Sequence, residues 1–272
     1  MSYREGQVFV QMSYAHQTPA LRAVLLGASN LKMSLPRIVG RLRHAAGGPV
    51  EVLAACGHGR SYGKRSRIFF GARSLPGITR CGLWADLEKR PPLRSIALIT
   101  DVGNDLLYGE TAETIAGWVR ECLERLLRHG AETICTPLPM ISIEKVSVFR
   151  YHAARSILFP GRGVPWRTLL ARARELDGRL RRLAEEHQLC LVAPQADWYG
   201  IDPIHFRMFW RRKAWDHILS HWTLTLGQPA EPSWRRLRLP LIGAEEYRLF
   251  GVPRHTPQPA CRFTDGTTVA LY

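Results

Sequence analysis

The sequence predicts an α/β fold: a parallel β-sheet with helices on both faces, three layers deep. Three observations lead there. Five strand-length apolar runs recur along the 272 residues, amphipathic helical segments separate most of them, and three polar clusters stand beside such runs. Alternating strands and helices imply right-handed βαβ crossovers, and sheets built that way bind ligands at the carboxyl ends of their strands. A chain that is 46% hydrophobic at this length can bury a substantial core, as one large domain or as a domain with an appendage; we favour the second.

The first apolar run, Leu21 to Leu26, leads into Gly27-Ala28-Ser29-Asn30. Ser34 and Pro36 place the start of the next helix some residues later, which leaves Ser29 in a loop between strand and helix. Val50 to Ala55 and Ser95 to Thr100 form the next two strands, the latter followed by Gly103-Asn104-Asp105. Apolar residues at helical spacing then run from Ile115 to Arg128. Thr133 to Thr136 is a short strand, Trp166 to Glu186 a long amphipathic helix, and Leu189 to Ala193 the last strand. After Asp202-Pro203-Ile204-His205, Phe206 to Trp222 reads as another amphipathic helix. Beyond it, Pro229, Pro232, Pro240, Pro253, Pro257 and Pro259 oppose a regular helix, while Trp234, Leu237, Tyr247 and Phe250 oppose disorder. The expected organisation is an N-terminal extension over 1–19, a main domain over 20–222, and a Pro-rich extended tail over 223–272 packed on the domain or on a second subunit.

Lys and Arg total 38 against 23 Asp and Glu, a formal charge of +15. Such a balance steers anionic partners, but the basic residues are dispersed. Arg67, Arg73 and Arg80 are scattered, and Arg172, Arg174, Arg179, Arg181 and Arg182 alternate with apolar positions of one helix, a pattern that argues against dedicated nucleic-acid binding. Met1 to Pro19 lacks an apolar core of signal-peptide length, and nowhere do 18 consecutive apolar residues occur; the expected location is cytoplasmic, without a membrane span. Six cysteines, Cys56, Cys81, Cys122, Cys135, Cys190 and Cys261, show no C-x-x-C pair and are expected as thiols, mostly buried, rather than disulfides or a zinc site.

The three clusters together supply the parts of a serine esterase. Ser29 offers a hydroxyl nucleophile, Asn104 a side-chain amide for an oxyanion, and Asp202 with His205 a carboxylate and an imidazole three residues apart. Each has a plainer reading when taken alone. Ser29 and Gly103-Asn104 suit turns, and Asp202 suits a helix N-cap with Pro203 at the first helical position. For Asp202 alone the cap is the better reading; the other clusters, present in the right order, reverse that preference. Asp105 is expected in a structural hydrogen bond. A rival nucleophile is Ser61, because Gly59-Arg60-Ser61-Tyr62-Gly63 matches the G-x-S-x-G elbow. The helix such an elbow opens is missing, since Lys64-Arg65-Ser66-Arg67 follows instead, so Gly59 is preferred as a backbone donor.

The order Ser, Gly, Asn, then Asp-x-x-His resembles the SGNH/GDSL hydrolase superfamily of esterases and lipases over roughly residues 20 to 222. The resemblance implies a flavodoxin-like fold, Ser29 as nucleophile, Gly59 and Asn104 as oxyanion-hole donors, and Asp202 with His205 completing a triad, with no cofactor or metal. Gly59-Arg60-Ser61 is similar to the second block of members that deacetylate polysaccharides. Two positions depart from the family's pattern: Ala28 stands where Asp is common before the serine, and Val102 where Gly is common two residues before the asparagine, with Gly103 adjacent. The first removes no catalytic atom, and the second bears on the turn that aims Asn104. The expected function is hydrolysis of a small-molecule, carbohydrate or lipid ester through an acyl-enzyme. The alternatives are acyl transfer by the same residues, or a catalytically silent module that binds an anionic partner; a homo-oligomer through the tail is a further expectation.

Overall fold

The computed structural model describes residues 18–68, 71–147, 164–224 and 234–272. The N-terminal extension, up to residue 17, and the tail prolines Pro229 and Pro232 lie outside them.

Seven strands form the main sheet: β1 (Leu21–Leu26), β2 (Val50–Ala55), β5 (Ser95–Ile99), β6 (Glu132–Cys135), β7 (Cys190–Leu191), and two late strands, β10 (Cys261–Arg262) and β11 (Thr268–Leu271). Their spatial order is β10-β11-β2-β1-β5-β6-β7, parallel throughout except for the antiparallel edge strand β10. Every residue of β1, β2 and β5 is buried. That explains why these runs show no apolar-polar alternation: helices cover both faces, so both sets of side chains must be apolar.

Alternate residues of β1 serve the two cores. Leu21, Ala23 and Leu25 pack with α1 (Ser29–Ala45) and α7 (Arg211–Leu219), whose Leu31, Leu35, Ile38, Trp215 and Ile218 are buried there. Val24 and Leu26 face the opposite layer, built from α2 (Leu83–Glu88), α4 (Ala112–Arg128) and α6 (Trp166–Glu186). On α6 the buried residues Leu169, Ala173, Leu176, Leu180 and Leu183 recur at three- and four-residue intervals, the stripe a helix needs to cover a sheet. Thr111 caps α4 by accepting the Thr114 N–H at 3.1 Å. At the amino ends of the strands Arg22 and Glu51 are register partners, joined at 2.5 Å with only 2% and 8% of their surfaces exposed. Arg90 binds the other oxygen of Glu51.

Two expectations need correction. Helix α1 begins at Ser29 itself and contains Pro36, because its first turn is capped from across the sheet and not by its own sequence. Helix α7 covers only Arg211–Leu219; residues 200–205 form bends, and Asp202 opens a turn instead of a helix. The parallel sheet between two helical layers is as expected, with β10 added antiparallel along its edge.

The segment after residue 222 also enters the fold. Strand β11 lies parallel to β2, and β8 (Glu246–Leu249) with β9 (Val252–His255) extends β3 (Ser66–Ile68) and β4 (Arg73–Leu75) into a four-stranded antiparallel sheet. Buried Lys32 of α1 holds this segment by donating to the carbonyls of Leu239 at 3.3 Å and Ile242 at 3.0 Å. Cys56, Cys81, Cys122 and Cys135 are buried, and burial pushes the Cys135 thiol up to about 12. No helix among the described residues is long and apolar enough to cross a membrane.

Candidate active site

Ser29, Asp202 and His205 meet at the carboxyl ends of β1 and β5. The Ser29 hydroxyl lies 2.7 Å from His205 Nε2, and His205 Nδ1 lies 2.6 Å from Asp202 Oδ2. The three side chains form one unbroken chain of hydrogen bonds. Asp202 Oδ1 is occupied separately, accepting the N–H groups of Ile204 at 3.0 Å and His205 at 3.1 Å. Asp202 thus gives one oxygen to the main chain of its own turn, not to a helix start, and the other to the imidazole.

The protonation of the pair follows from this geometry. Burial of the His205 ring disfavours its charged form, but the hydrogen bond and charge of Asp202, with the charge of Asp101 added, outweigh it and raise the imidazole above its ordinary value of 6.5; Arg211 works weakly against them. Burial likewise pushes the Asp202 carboxyl up, and the His205 contact and the two main-chain N–H groups pull it below its ordinary value.

Sequence reasoning missed Asp101 and Asn30. Asp101 ends the β5 segment with φ 56°, and its carboxylate accepts the N–H of Ala28 at 3.0 Å, the N–H of Leu31 at 3.1 Å and the Asn30 amide at 2.8 Å. No acidic residue lies in the first turn of α1, so the carboxylate that complements this helix end comes from the neighbouring strand. Asn30 then reaches the histidine segment, donating to the Ile204 carbonyl at 2.8 Å and accepting the Phe206 N–H at 3.0 Å. The signals were an Asn directly after the serine and an Asp at a strand end on the same rim. Neither matches a motif.

Asn104 is the first residue of α3 (Asn104–Leu107), and the preceding Gly103 has φ 151°, a conformation that a side chain disfavours. The chain thus meets the need for glycine at position 103, directly before Asn104. The Asn104 amide donates to the Arg60 carbonyl at 3.2 Å, leaving its second N–H for another acceptor. Gly59, with φ 57°, is the residue before Arg60 and is tied to the same loop pair by the Tyr108 hydroxyl, 2.7 Å from its carbonyl. The N–H of Ser29, at the first position of α1, has no acceptor within the helix.

A cavity of about 500 Å³ opens beside these groups. Ser29, Asn104, Asp202 and His205 all line it; Gly59 is not among the described residues of its wall. The rival serine is elsewhere. Ser61 is fully buried, donates to the Asp105 carboxylate, and accepts from the N–H groups of Gly63 at 3.2 Å and Lys64 at 2.8 Å, with no imidazole among its partners. Asp105 makes the structural hydrogen bonds expected of it; burial raises its carboxyl to about 6 against the Ser61 and Tyr62 hydrogen bonds.

No family model and no curated protein matches the chain. Among solved structures, one crystal structure aligns at 14% identity with a TM-score of 0.50, covering 74% of this chain and 96% of that chain. A member of the lipolytic protein G-D-S-L family from Veillonella parvula aligns at 12% identity with a TM-score of 0.47, covering 75% and 99%. A carbohydrate acetylesterase family member from Sinorhizobium meliloti aligns at 16% identity with a TM-score of 0.48, covering 73% and 95%. At these identities the likeness concerns fold alone. What the chain shares with the structure aligned at a TM-score of 0.50 is its fold, a mostly parallel sheet between two helical layers.

Proposed function

We propose that the protein is a serine hydrolase that cleaves a carboxylic ester through an acyl-enzyme. The observation that carries the proposal is the continuous Ser29–His205–Asp202 hydrogen-bond chain at the edge of an open cavity. A serine hydroxyl attacks only as a base removes its proton, and neutral His205 offers Nε2 at hydrogen-bond distance. Ser29 Oγ bonds to the ester carbon, its proton passes to Nε2, and the carbonyl electrons move onto oxygen. The Ser29 N–H and the free N–H of the Asn104 amide, on residues that line the cavity, are the donors assigned to that oxyanion. Collapse of the intermediate breaks the bond to the alcohol, which leaves with the proton from His205. Water then repeats the sequence on the acyl-serine, giving up one proton to His205, and the acid leaves as Ser29 recovers it.

Asp202 holds the imidazole with its proton on Nδ1 and stabilises the imidazolium that forms in each half-reaction. Asp101 and Asn30 tie the nucleophile turn to the histidine segment. The test is turnover of p-nitrophenyl acetate across pH. Because the folded His205 is raised, its basic form is depleted below that pKa, so kcat/KM should climb with pH through a value above 6.5 and then level. Ser29→Ala and His205→Ala should each abolish it. A Ser29→Ala protein as active as wild type would overturn the proposal.

A further inference from the structure

We infer that the cavity beside Ser29 accepts the acyl half of the ester as an unbranched aliphatic chain of medium length. This inference rests on the hydrolase reading above and names the substrate class for that same site.

The cavity is divided by chemistry. Polar side chains of the triad, Asn104 and their supports line it, together with Thr100, Thr136 and Tyr199, whereas Val102, Leu106, Leu138, Leu169 and Ala173 form an apolar wall. These five are between 2% and 8% exposed, so the space they border lies beneath the surface and is not a shallow groove. The chain has 38 Lys and Arg, yet none is among the described residues of the wall. A phosphate or carboxylate seated there would lose its hydration with no cation among the described residues of the wall to replace it, and a sugar would turn hydroxyls against leucine side chains. A hydrocarbon chain incurs neither cost and gains from leaving water.

The direction of the ester follows from proton transfer. His205 must protonate the departing oxygen, so the alcohol sits on the His205 side. That side meets solvent: the Asp202 side chain is 54% exposed and Ile201 is 86% exposed. The acyl substituent is then assigned to the apolar wall that Val102, Leu138 and Leu169 contribute to. A cavity of about 500 Å³ has room for a chain of several carbons.

The experiment compares p-nitrophenyl esters from acetate to dodecanoate with alkyl acetates of increasing alcohol length on the wild-type protein. Each acyl methylene that enters the cavity should raise kcat/KM about fourfold, roughly two decades from acetate to hexanoate, with the gain ending once the space is filled. Lengthening the alcohol should give no comparable rise. Ala173→Phe, which intrudes on the far wall, should cut the hexanoate-to-acetate ratio at least tenfold. Calorimetry with Ser29→Ala should show octanoate binding more tightly than propionate, a readout that needs no chemistry. Acetate hydrolysis with no gain for longer acyl groups, or a gain confined to the alcohol series, would overturn the inference and leave the hydrolase standing. No turnover of any ester, with octanoate still preferred in binding, would overturn the hydrolase reading and leave an apolar-chain site; no turnover and no binding preference would overturn both.

Discussion

Replacing Asp202 by Asn separates the two tasks of this side chain. The Oδ1 atom accepts two main-chain N–H groups, and an asparagine carbonyl oxygen keeps both bonds. Stability should therefore change by no more than about 0.5 kcal/mol, which for a domain of this size shifts Tm by roughly 1–2 °C. The Oδ2 atom is replaced by an NH2 group that faces His205 Nδ1 across a contact of 2.6 Å. Two donors cannot share that contact, so the ring proton moves to Nε2, the atom that must receive the Ser29 proton. Losing the correct tautomer and the counter-charge of the imidazolium should lower kcat by about 10³–10⁴, equivalent to roughly 4–5.5 kcal/mol of transition-state stabilisation. The assay is kcat on a short-chain p-nitrophenyl ester beside a thermal melt of the same preparation. A folded Asp202→Asn protein with more than about a tenth of wild-type kcat would refute the tautomer argument.

The other predictions address the surrounding groups. Asn104→Ala removes a hydrogen bond made to the oxyanion and should reduce kcat by about 10²–10³ with KM nearly unchanged; unaltered kcat removes Asn104 from the mechanism. Asp101→Asn takes away a carboxylate that accepts three N–H groups and should cost about 1.5–3 kcal/mol in urea unfolding. It also deletes a charge that supports protonated His205, so the acid limb of the pH–rate profile should move down; an unmoved limb refutes that coupling. Glu51→Ala leaves Arg22 buried without its carboxylate at the end of the sheet remote from the site. We expect a loss of about 3–5 kcal/mol in urea unfolding, with kcat retained in the protein that remains folded.

Much of the scaffold can be read from composition along the chain because both faces of the sheet are covered. The runs 21–26 and 50–55 are continuous apolar stretches bounded by turn residues, and the strands end where those runs end. Helix α6 is equally legible, since its apolar stripe and its flanks agree. What escapes is set by distant contacts. The early start of α1 depends on Asp101, 73 residues from Ala28, and nothing local announces it. The parallel pairing of β11 with β2 and the small sheet shared by residues 66–75 and 246–255 likewise rest on partners remote in sequence. Within the site, Ser29, Asn104, Asp202 and His205 are legible as motifs. The Asp101–Asn30 connection is not, because it is made of common polar residues whose meaning lies only in what they touch.

The most direct measurement is the site of covalent modification by a fluorophosphonate, located by peptide mass spectrometry in wild type, Ser29→Ala and Ser61→Ala. The reagent needs an activated serine and no knowledge of the natural ester. The hydrogen-bond chain requires one adduct, on Ser29, absent from Ser29→Ala and present in folded Ser61→Ala, which loses only a hydroxyl buried against Asp105 in the wild type. An adduct on Ser61, or no adduct on wild-type protein under conditions that label other serine esterases, would contradict the account.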